Sequence, residues 1–413
     1  MTTQSFVIVG AALAGGKAAE ELRSEGFDGK VFLIGEEPEL PYERPPLSKE
    51  YLRGEASREK AFVHPPEYYA EQEIDLLGET PVTAIDPGRS RISLADGGEL
   101  SYDRLLLVTG AAPRQISVPG ADLDGVCYLR TFADCDLLRE RLKESERVVV
   151  VGAGWIGAEV AASARQLGAK VSVVEPMKVP LERVLGPELG AFYRDVHLEH
   201  GVEFLLGTGV EAFEGDGSVQ RVRTSDGRSL ECDFVVVGIG VTPRVELAEA
   251  AGLEIDDGIA VDQSLQTSAP GVFAAGDVAN AWHPFYDRRI RIEHWANALN
   301  QGPAAARAML GRDTVYDRTP YFFSDQYDVG MEYRGYASDW DQVVFRGDPA
   351  SREFIVFWLR AGTVLAGMNV NIWDAGDQIA ALVRHRAPVD ARRLSDPDTA
   401  LDELAPADVH QAP

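Results

Sequence analysis

Continuous aliphatic runs, rather than alternating ones, mark the first strands of this chain. Phe6-Val7-Ile8-Val9 leads into Gly10-Ala11-Ala12-Leu13-Ala14-Gly15 and then into a helix-like stretch that ends near Gly26. A short apolar run suits a strand buried on both faces, and a glycine followed by helical spacing suits a tight strand-to-helix turn. The same order returns with Arg147-Val148-Val149-Val150-Val151, Gly152-Ala153-Gly154-Trp155-Ile156-Gly157 and an Ala-rich helix that runs to Leu167. Each helix leads to a second strand, over 31–34 or 171–174, and each is followed by an acid, Glu36 or Glu175. A second duplication lies downstream: Asp96-Gly97 through Pro113-Arg114 matches Asp226-Gly227 through Pro243-Arg244 at one constant offset of 130 residues. Each copy carries an Asp-Gly hairpin turn, an aliphatic strand (105–108 or 235–237), and then Gly and Pro-Arg.

Two similar β-α-β halves are therefore expected, and the chain does not lay them end to end. After Arg244 come a short segment, Gly271-Val272-Phe273-Ala274-Ala275-Gly276-Asp277, and a helix-like stretch over 296–310, neither of which has a place in a completed second half. Assigning them to the first half makes residues 1–110 and 243–320 one discontinuous domain, with residues 111–242 inserted as the second. From Tyr321 the pattern turns aromatic and alternating, as in Phe354-Ile355-Val356-Phe357-Trp358, with a helix near 377–384, which predicts a third, α+β domain over 321–413. The stretch 394–413, rich in Pro, Ala and Asp, is expected to be poorly ordered.

Composition narrows the function. With 40 Lys and Arg against 66 Asp and Glu, the 413-residue chain carries a net charge of −26, which argues against a general binder of nucleic acid or anionic membrane. The three cysteines, Cys127, Cys135 and Cys232, form no CxxC and are too few for a four-thiolate cluster. No metal site or disulfide scaffold is read, so redox chemistry would have to be borrowed from a cofactor. No apolar run reaches the length of a membrane span, and no basic residue precedes the apolar N-terminal stretch 6–16, so a soluble, cytoplasmic protein is expected.

The glycine turns carry the candidate chemistry. Such a turn lets the backbone approach a pyrophosphate at a helix N-terminus, and the acid after the next strand accepts bonds from a ribose. Glu36 lies 26 residues after Gly10, and Glu175 lies 23 after Gly152. The fingerprint Gly152, Gly154, Gly157 is complete, whereas the first copy has Ala12 at its middle position. Two dinucleotide sites in one chain suggest a flavin and a nicotinamide.

Further motifs identify a family. Pro41-Tyr42-Glu43-Arg44-Pro45-Pro46-Leu47-Ser48-Lys49, Thr109-Gly110, Leu129-Arg130-Thr131, Ala275-Gly276-Asp277-Val278, Glu293-His294-Trp295 and Ser324-Asp325-Gln326 resemble, with the glycine turns, the FAD-dependent pyridine nucleotide oxidoreductases of the ferredoxin reductase type. The resemblance runs to about residue 390 and implies two Rossmann-like domains of the glutathione-reductase-like kind plus the C-terminal domain. It implies that Gly10, Leu13, Ala14 and Gly15 would hold the FAD pyrophosphate and Glu36 its ribose. Arg44, Lys49, Val82, Thr109, Gly110, Arg130, Gly276, Asp277, Glu293, His294, Trp295 and Phe323 would serve the rest of the flavin, with Lys49 near N5. Relatives often carry Trp where Phe323 stands, and the region of Phe322 and Phe323 would pack near the flavin ring. Gly152, Gly154, Trp155, Ile156, Gly157, Glu175, Arg183, Gly238, Ile239 and Gly240 would take the nicotinamide dinucleotide, and the carboxylate of Glu175 favours NADH over NADPH. Glu159 would pair with Lys49 across the two domains and contact nicotinamide, so these two are the candidate catalytic residues. Outside these motifs, the default reading of either is a solvated surface residue.

Related disulfide reductases use a cysteine early in the chain, and residues 1–126 contain none. The resemblance then implies transfer from NADH to FAD and on, one electron at a time, to a small iron–sulfur ferredoxin that feeds a monooxygenase or a ring-hydroxylating dioxygenase. An NADH oxidase, a quinone reductase or a signalling flavoprotein like apoptosis-inducing factor would share the first half of that chemistry. A ferredoxin is usually acidic, and the least negative part of this acidic chain holds Arg288, Arg289 and Arg291; these are either a docking patch or a solvated turn.

Overall fold

The strand Ser5–Val9 runs between Lys30–Ile34 and Arg104–Leu107, parallel to both, with Val7 opposite Phe32 on one side and Leu105 on the other. It belongs to the first of two units into which contacts divide the chain. The first holds residues up to 45, 57–112 and 241–318, and the second 46–56, 113–240 and residues from 319 onward. Residues 3–405 are described, from a computed structural model.

The first unit is built on a five-stranded parallel sheet in the order Val272–Ala274, Arg104–Leu107, Ser5–Val9, Lys30–Ile34, Ile74–Leu77. Residues Phe6 to Val9 are all buried, as a strand covered on both faces requires. The chain then turns at once: Gly10 has φ +121°, and a Cβ there would stand 2.2 Å from the Val108 carbonyl oxygen. The helix Leu13–Ser24 follows, with Gly15 against the turn and Ala14, Gly15, Ala18, Ala19 and Leu22 buried as a stripe at helical spacing. The helix Trp295–Met309 lies along it so closely that a Cβ on Gly302 would meet the Ala14 carbonyl oxygen at 2.3 Å. Val272–Ala274, far downstream, pairs with Arg104–Leu107 and closes the sheet. Val82–Asp86, Arg91–Leu94 and Glu99–Ser101 form a small antiparallel sheet whose last hairpin turns at Asp96-Gly97.

The second unit repeats the design. Its parallel sheet has the order Glu203–Leu206, Lys170–Glu175, Arg147–Val151, Phe234–Val237, Val126–Cys127. A small antiparallel sheet of Val210–Glu214, Arg221–Thr224 and Ser229–Glu231 turns at Asp226-Gly227. Beside it stands an antiparallel sheet in the order Tyr321–Gln326, Val329–Gly335, Thr363–Val370, Glu353–Arg360, Gln342–Asp348, with the helix Gly376–His385 packed against it. This C-terminal sheet shares one core with the helix Pro187–Glu199, where Leu189, Tyr193 and Val196 meet Met331, Tyr333 and Phe354. Trp358 Nε1 donates to the Leu185 carbonyl at 3.0 Å.

Two expectations are corrected. Alternation was read into Phe354 to Trp358, yet every residue from Phe354 to Leu359 is buried. Phe354, Val356 and Trp358 face the core shared with Leu185 and Tyr193, while Phe357 on the other face touches Gly367 under Ile379 of the last long helix. The stretch from Leu394 is folded as far as residue 405. Leu394, Leu401 and Leu404 are buried, and Arg346 donates to the carbonyls of Asp396, Pro397 and Thr399 at 2.5, 3.0 and 2.8 Å. Residues 406–413, to which the same expectation applied, lie outside the described residues.

Candidate functional site

In the first unit the glycine turn leaves a helix end without a cap. Ala12 is the N-cap of Leu13–Ser24, no side chain bonds to that end, and its first turn has no acid. By contrast, the helix Phe132–Glu144 of the second unit is closed by a capping box from Thr131 and Asp134. An uncapped N-terminus offers backbone N–H groups and a positive dipole end to an anion. Glu36, the expected ribose acceptor, is half-exposed and ion-paired with Arg244, a partner the sequence had not suggested. Thr109 Oγ donates to the Arg244 carbonyl at 2.8 Å.

Other flavin-side candidates of this unit are tied into its polar framework. Arg44 donates to Glu37 at 2.9 Å and to the Tyr42 hydroxyl at 2.8 Å, and its carbon Cζ lies 5.0 Å from the Tyr42 ring centroid. Burial works against its charge, but Tyr42, Glu37 and Asp277 outweigh burial and raise the guanidinium's proton affinity. Burial also raises Glu43, against a hydrogen bond from Trp295 and the charge of Lys17. His294 is pushed down to about 4 by burial, with Asp277 opposing, so it is neutral near pH 7. Gly276 has φ +74° and donates its N–H to Gln301 at 2.8 Å, which fixes the turn that carries Asp277. Gly110 also has positive φ, and Val82 starts the small antiparallel sheet.

In the second unit the three glycines have different jobs. A Cβ on Gly152 would stand 2.4 Å from the Gly238 carbonyl oxygen, and one on Gly157 would stand 2.1 Å from the Gly152 carbonyl oxygen. Those two are glycine because the protein itself fills the space. A Cβ on Gly154 would meet nothing within 4 Å. Gly154 is the N-cap of Trp155–Gln166, a helix end that again lacks a side-chain cap. The open space beside unsatisfied N–H groups fits a pyrophosphate. Glu175 accepts from Ala153 N at 2.7 Å and Met177 N at 2.9 Å, which leaves lone pairs on both oxygens for a ribose. Trp155 meets Phe322 edge-on at 5.0 Å, Ile156 is exposed, and Arg183 lies exposed on the short helix Glu182–Leu185. Gly238, Ile239 and Gly240 follow the strand Phe234–Val237, and Arg130 precedes the capped helix.

Residues 46–56 pack with the second unit, so Lys49 and Glu159 belong to the same unit instead of facing each other across two domains. Lys49 Nζ lies 2.9 Å from Glu159 Oε2, with side chains 8% and 5% exposed. Neither is the solvated residue that composition alone would give. Ser48 donates to Glu159 Oε2 at 2.5 Å and Ser324 donates to Oε1 at 2.7 Å. Phe323 lies 5.5 Å from Lys49 Nζ, whereas Phe322, on the other face of the strand, packs against Trp155 and Tyr333. Only Phe323 of the aromatic pair therefore faces the lysine. Burial raises Asp325, which Lys49 opposes and Glu159 reinforces. A buried ion pair needs its remaining hydrogen bonds filled, and on the carboxylate side the two serines do so.

Residues 4–302 match the model of the pyridine nucleotide-disulphide oxidoreductases, and residues 321–405 match that of the reductase C-terminal domain. The chain belongs to the pyridine nucleotide-disulphide oxidoreductase family. This oxidoreductase is 40% identical to putidaredoxin reductase of Pseudomonas putida over 98% of its own length and 97% of that protein's. It is 41% identical to the ferredoxin–NAD(+) reductase component of the anthranilate 1,2-dioxygenase system of Burkholderia cepacia, over 97% and 99% of the two chains. A crystal structure of the covalent putidaredoxin reductase–putidaredoxin complex matches with a TM-score of 0.93 at 39% identity, covering 97% of this chain and 98% of that one.

Sequence reasoning extracted Lys49 and Glu159 but passed over Ser48 and Ser324, although both sit inside motifs it quoted. The arginine strand is also less basic than its sequence suggests. Arg291 is ion-paired with Glu293 and with Asp257, and Arg289 donates to the Val261 carbonyl, while Arg288 is exposed. Glu293, expected at the flavin, is the acid of that pair through one of its oxygens. Among the described residues no helix is long and apolar enough to cross a membrane.

Proposed function

We propose that this oxidoreductase is an NADH-dependent ferredoxin reductase, with FAD held by residues 1–110 and 243–320 and NADH by residues 111–242. Bound FAD would supply the redox chemistry, taking two electrons from the nicotinamide and releasing them singly. The chain's own residues orient and polarise. The uncapped helix ends after Gly10 and Gly152 bind the two pyrophosphates, while Glu36 and Glu175 hold the riboses, the latter disfavouring a 2′-phosphate. Lys49 places a cation at the flavin side, Glu159 keeps that cation in place and meets the nicotinamide, and Phe323 walls the site.

The observation that carries the choice of acceptor is the state of the thiols. All three cysteines are buried without a disulfide, and burial pushes Cys135 and Cys232 up to about 12. With no cysteine in residues 1–126, electrons leave to an external carrier. The close relatives, named for putidaredoxin and for a dioxygenase ferredoxin, support an iron–sulfur protein in that role. Docking near Arg288, Arg289 and Arg291 would present Arg288 as the most exposed of the three, with Arg291 paired to two acids. A cytoplasmic location fits free thiols and a nicotinamide donor. The test is direct: the purified protein carries FAD, NADH bleaches its yellow colour in the absence of air, and NADPH does so far more slowly. A colourless protein, or one bleached equally by both, counts against the reading.

A further inference from the structure

The hydrogen bonds around Glu159 do not end at Ser324. Gln326 lies two residues along the same strand, on the same face, with Nε2 3.2 Å from Ser324 Oγ. Its Oε1 is 2.8 Å from His197 Nε2, and His197 Nδ1 is 3.3 Å from the Tyr327 hydroxyl. Tyr327 stacks on His200 at 3.7 Å, and both line a surface depression with Arg352 and Asp328. Ser324, Gln326 and His197 are each 1% exposed. A row of polar groups thus joins the buried ion pair to the surface, entirely within the second unit.

The carboxylate at its inner end fixes the row's direction. Glu159, facing the Lys49 ammonium, only accepts. Ser324 gives its hydrogen to Glu159, so its oxygen is left to accept, and Gln326 must present its NH2 group. Gln326 then turns its carbonyl to His197, which must carry the proton on Nε2 and accept at Nδ1 from Tyr327. His197 is neutral, pushed down to about 4 by burial, with the Gln326 bond opposing and His200 adding to the shift. Every donor in the row points towards Glu159, so the bonds reinforce one another.

We propose that Gln326 and His197 are positioning residues that act on Glu159 through Ser324, committing the Ser324 hydroxyl to the carboxylate that holds Lys49. The proposal rests on the reading that Lys49 and Glu159 serve the flavin and the nicotinamide. Without Gln326, the Ser324 hydroxyl is free to rotate to another acceptor, and one oxygen of Glu159 loses its anchor. Burial of so many polar groups is costly unless every one is satisfied, and an apolar strand face would pack the same space without that cost.

Two substitutions separate positioning from packing. Gln326→Met keeps the volume and removes both ends of the amide, and Gln326→Glu keeps the shape but offers Ser324 an acceptor that draws its hydroxyl away from Glu159. In the FAD-loaded full chain, both are expected to slow reduction at saturating NADH by about tenfold, Gln326→Glu the more, with little change in the half-saturating NADH concentration. Both should move the flavin midpoint potential in the direction that Glu159→Gln moves it, and neither should add to the effect of Glu159→Gln. Variants that fold, take up FAD and keep the original rate and potential overturn the proposal. So do losses that persist undiminished in the Glu159→Gln background, which mark packing alone. The direction of the row is read without cofactor or turnover from the nitrogen-15 resonances of His197, assigned by their loss in His197→Leu. An Nε2–H tautomer is expected, and an Nδ1–H tautomer overturns the row. A protein that NADH does not reduce removes the ferredoxin reductase reading, and the tautomer still decides the row.

Discussion

Burial keeps Cys127, Cys135 and Cys232 protonated near neutral pH, and a thiol is a poor nucleophile until it ionises. An aromatic disulfide reagent should therefore titrate none of the three in the native protein and all of them in denaturant, with no loss of NADH-dependent activity in the native case. Rapid native modification that abolishes activity would bring back the thiol-using relatives. His197 gives the molecule an acid weakness. Its folded value of about 4 lies below the ordinary value of 6.5, so the unfolded chain takes up the proton first as pH falls. Stability is complete above 6.5 and declines between there and about 4, by about 1.4 kcal/mol per pH unit from this residue. His294, also held at about 4 by burial, adds a similar dependence over the same range. Thermal unfolding measured from pH 7 to pH 4 should therefore lose stability as pH falls, and His197→Asn should remove part of that loss and leave the His294 part. Lys49 and Glu159 predict a different signature. Lys49→Met strands a buried carboxylate and should cost about 3 kcal/mol in denaturant unfolding, part of which returns in the Lys49→Met, Glu159→Gln pair.

At the scale of elements, the turn before Trp155–Gln166 makes two glycines diagnostic. Gly157→Ala would drive a methyl into the Gly152 carbonyl oxygen, and the protein should fail to fold or lose its second parallel sheet by circular dichroism and proteolysis. Gly154→Ala meets no protein atom, so it should fold normally and weaken NADH binding several-fold, seen as a raised KM with kcat nearly intact. The parallel sheets and their glycine turns were legible in the sequence because each depends on neighbours in the chain: Phe6-Val7-Ile8-Val9 before Gly10, Arg147 to Val151 before Gly152. The C-terminal strand Glu353–Arg360 was not, because what covers its second face is the helix pair around Leu185 and Tyr193, more than 150 residues upstream. The same distance hid the Glu159 row. His197 is an unremarked residue in the helix Pro187–Glu199, and its partner Gln326 is 129 residues away. The motif Ser324-Asp325-Gln326 signalled family but not which of its side chains reaches which carboxylate.

For the whole molecule, the charge of −26 sets the partner problem. An acidic ferredoxin can approach only where the acidic surface is locally interrupted, and of the three arginines in 288–291 Arg288 is the exposed one. Arg288→Glu should slow ferredoxin reduction and weaken its salt dependence, with NADH-to-ferricyanide turnover unchanged; equal ferredoxin rates would remove Arg288 from the docking face. The account's central claim is the identity of the electron acceptor, and anaerobic reoxidation tests it most directly. The FAD-loaded protein, reduced with one equivalent of NADH, is mixed in turn with a panel of two-iron ferredoxins, with a quinone and with oxygen. The account predicts that at least one ferredoxin restores the yellow colour at a rate well above those of quinone and oxygen. Fast reoxidation by oxygen or quinone, with every ferredoxin slow, would contradict it.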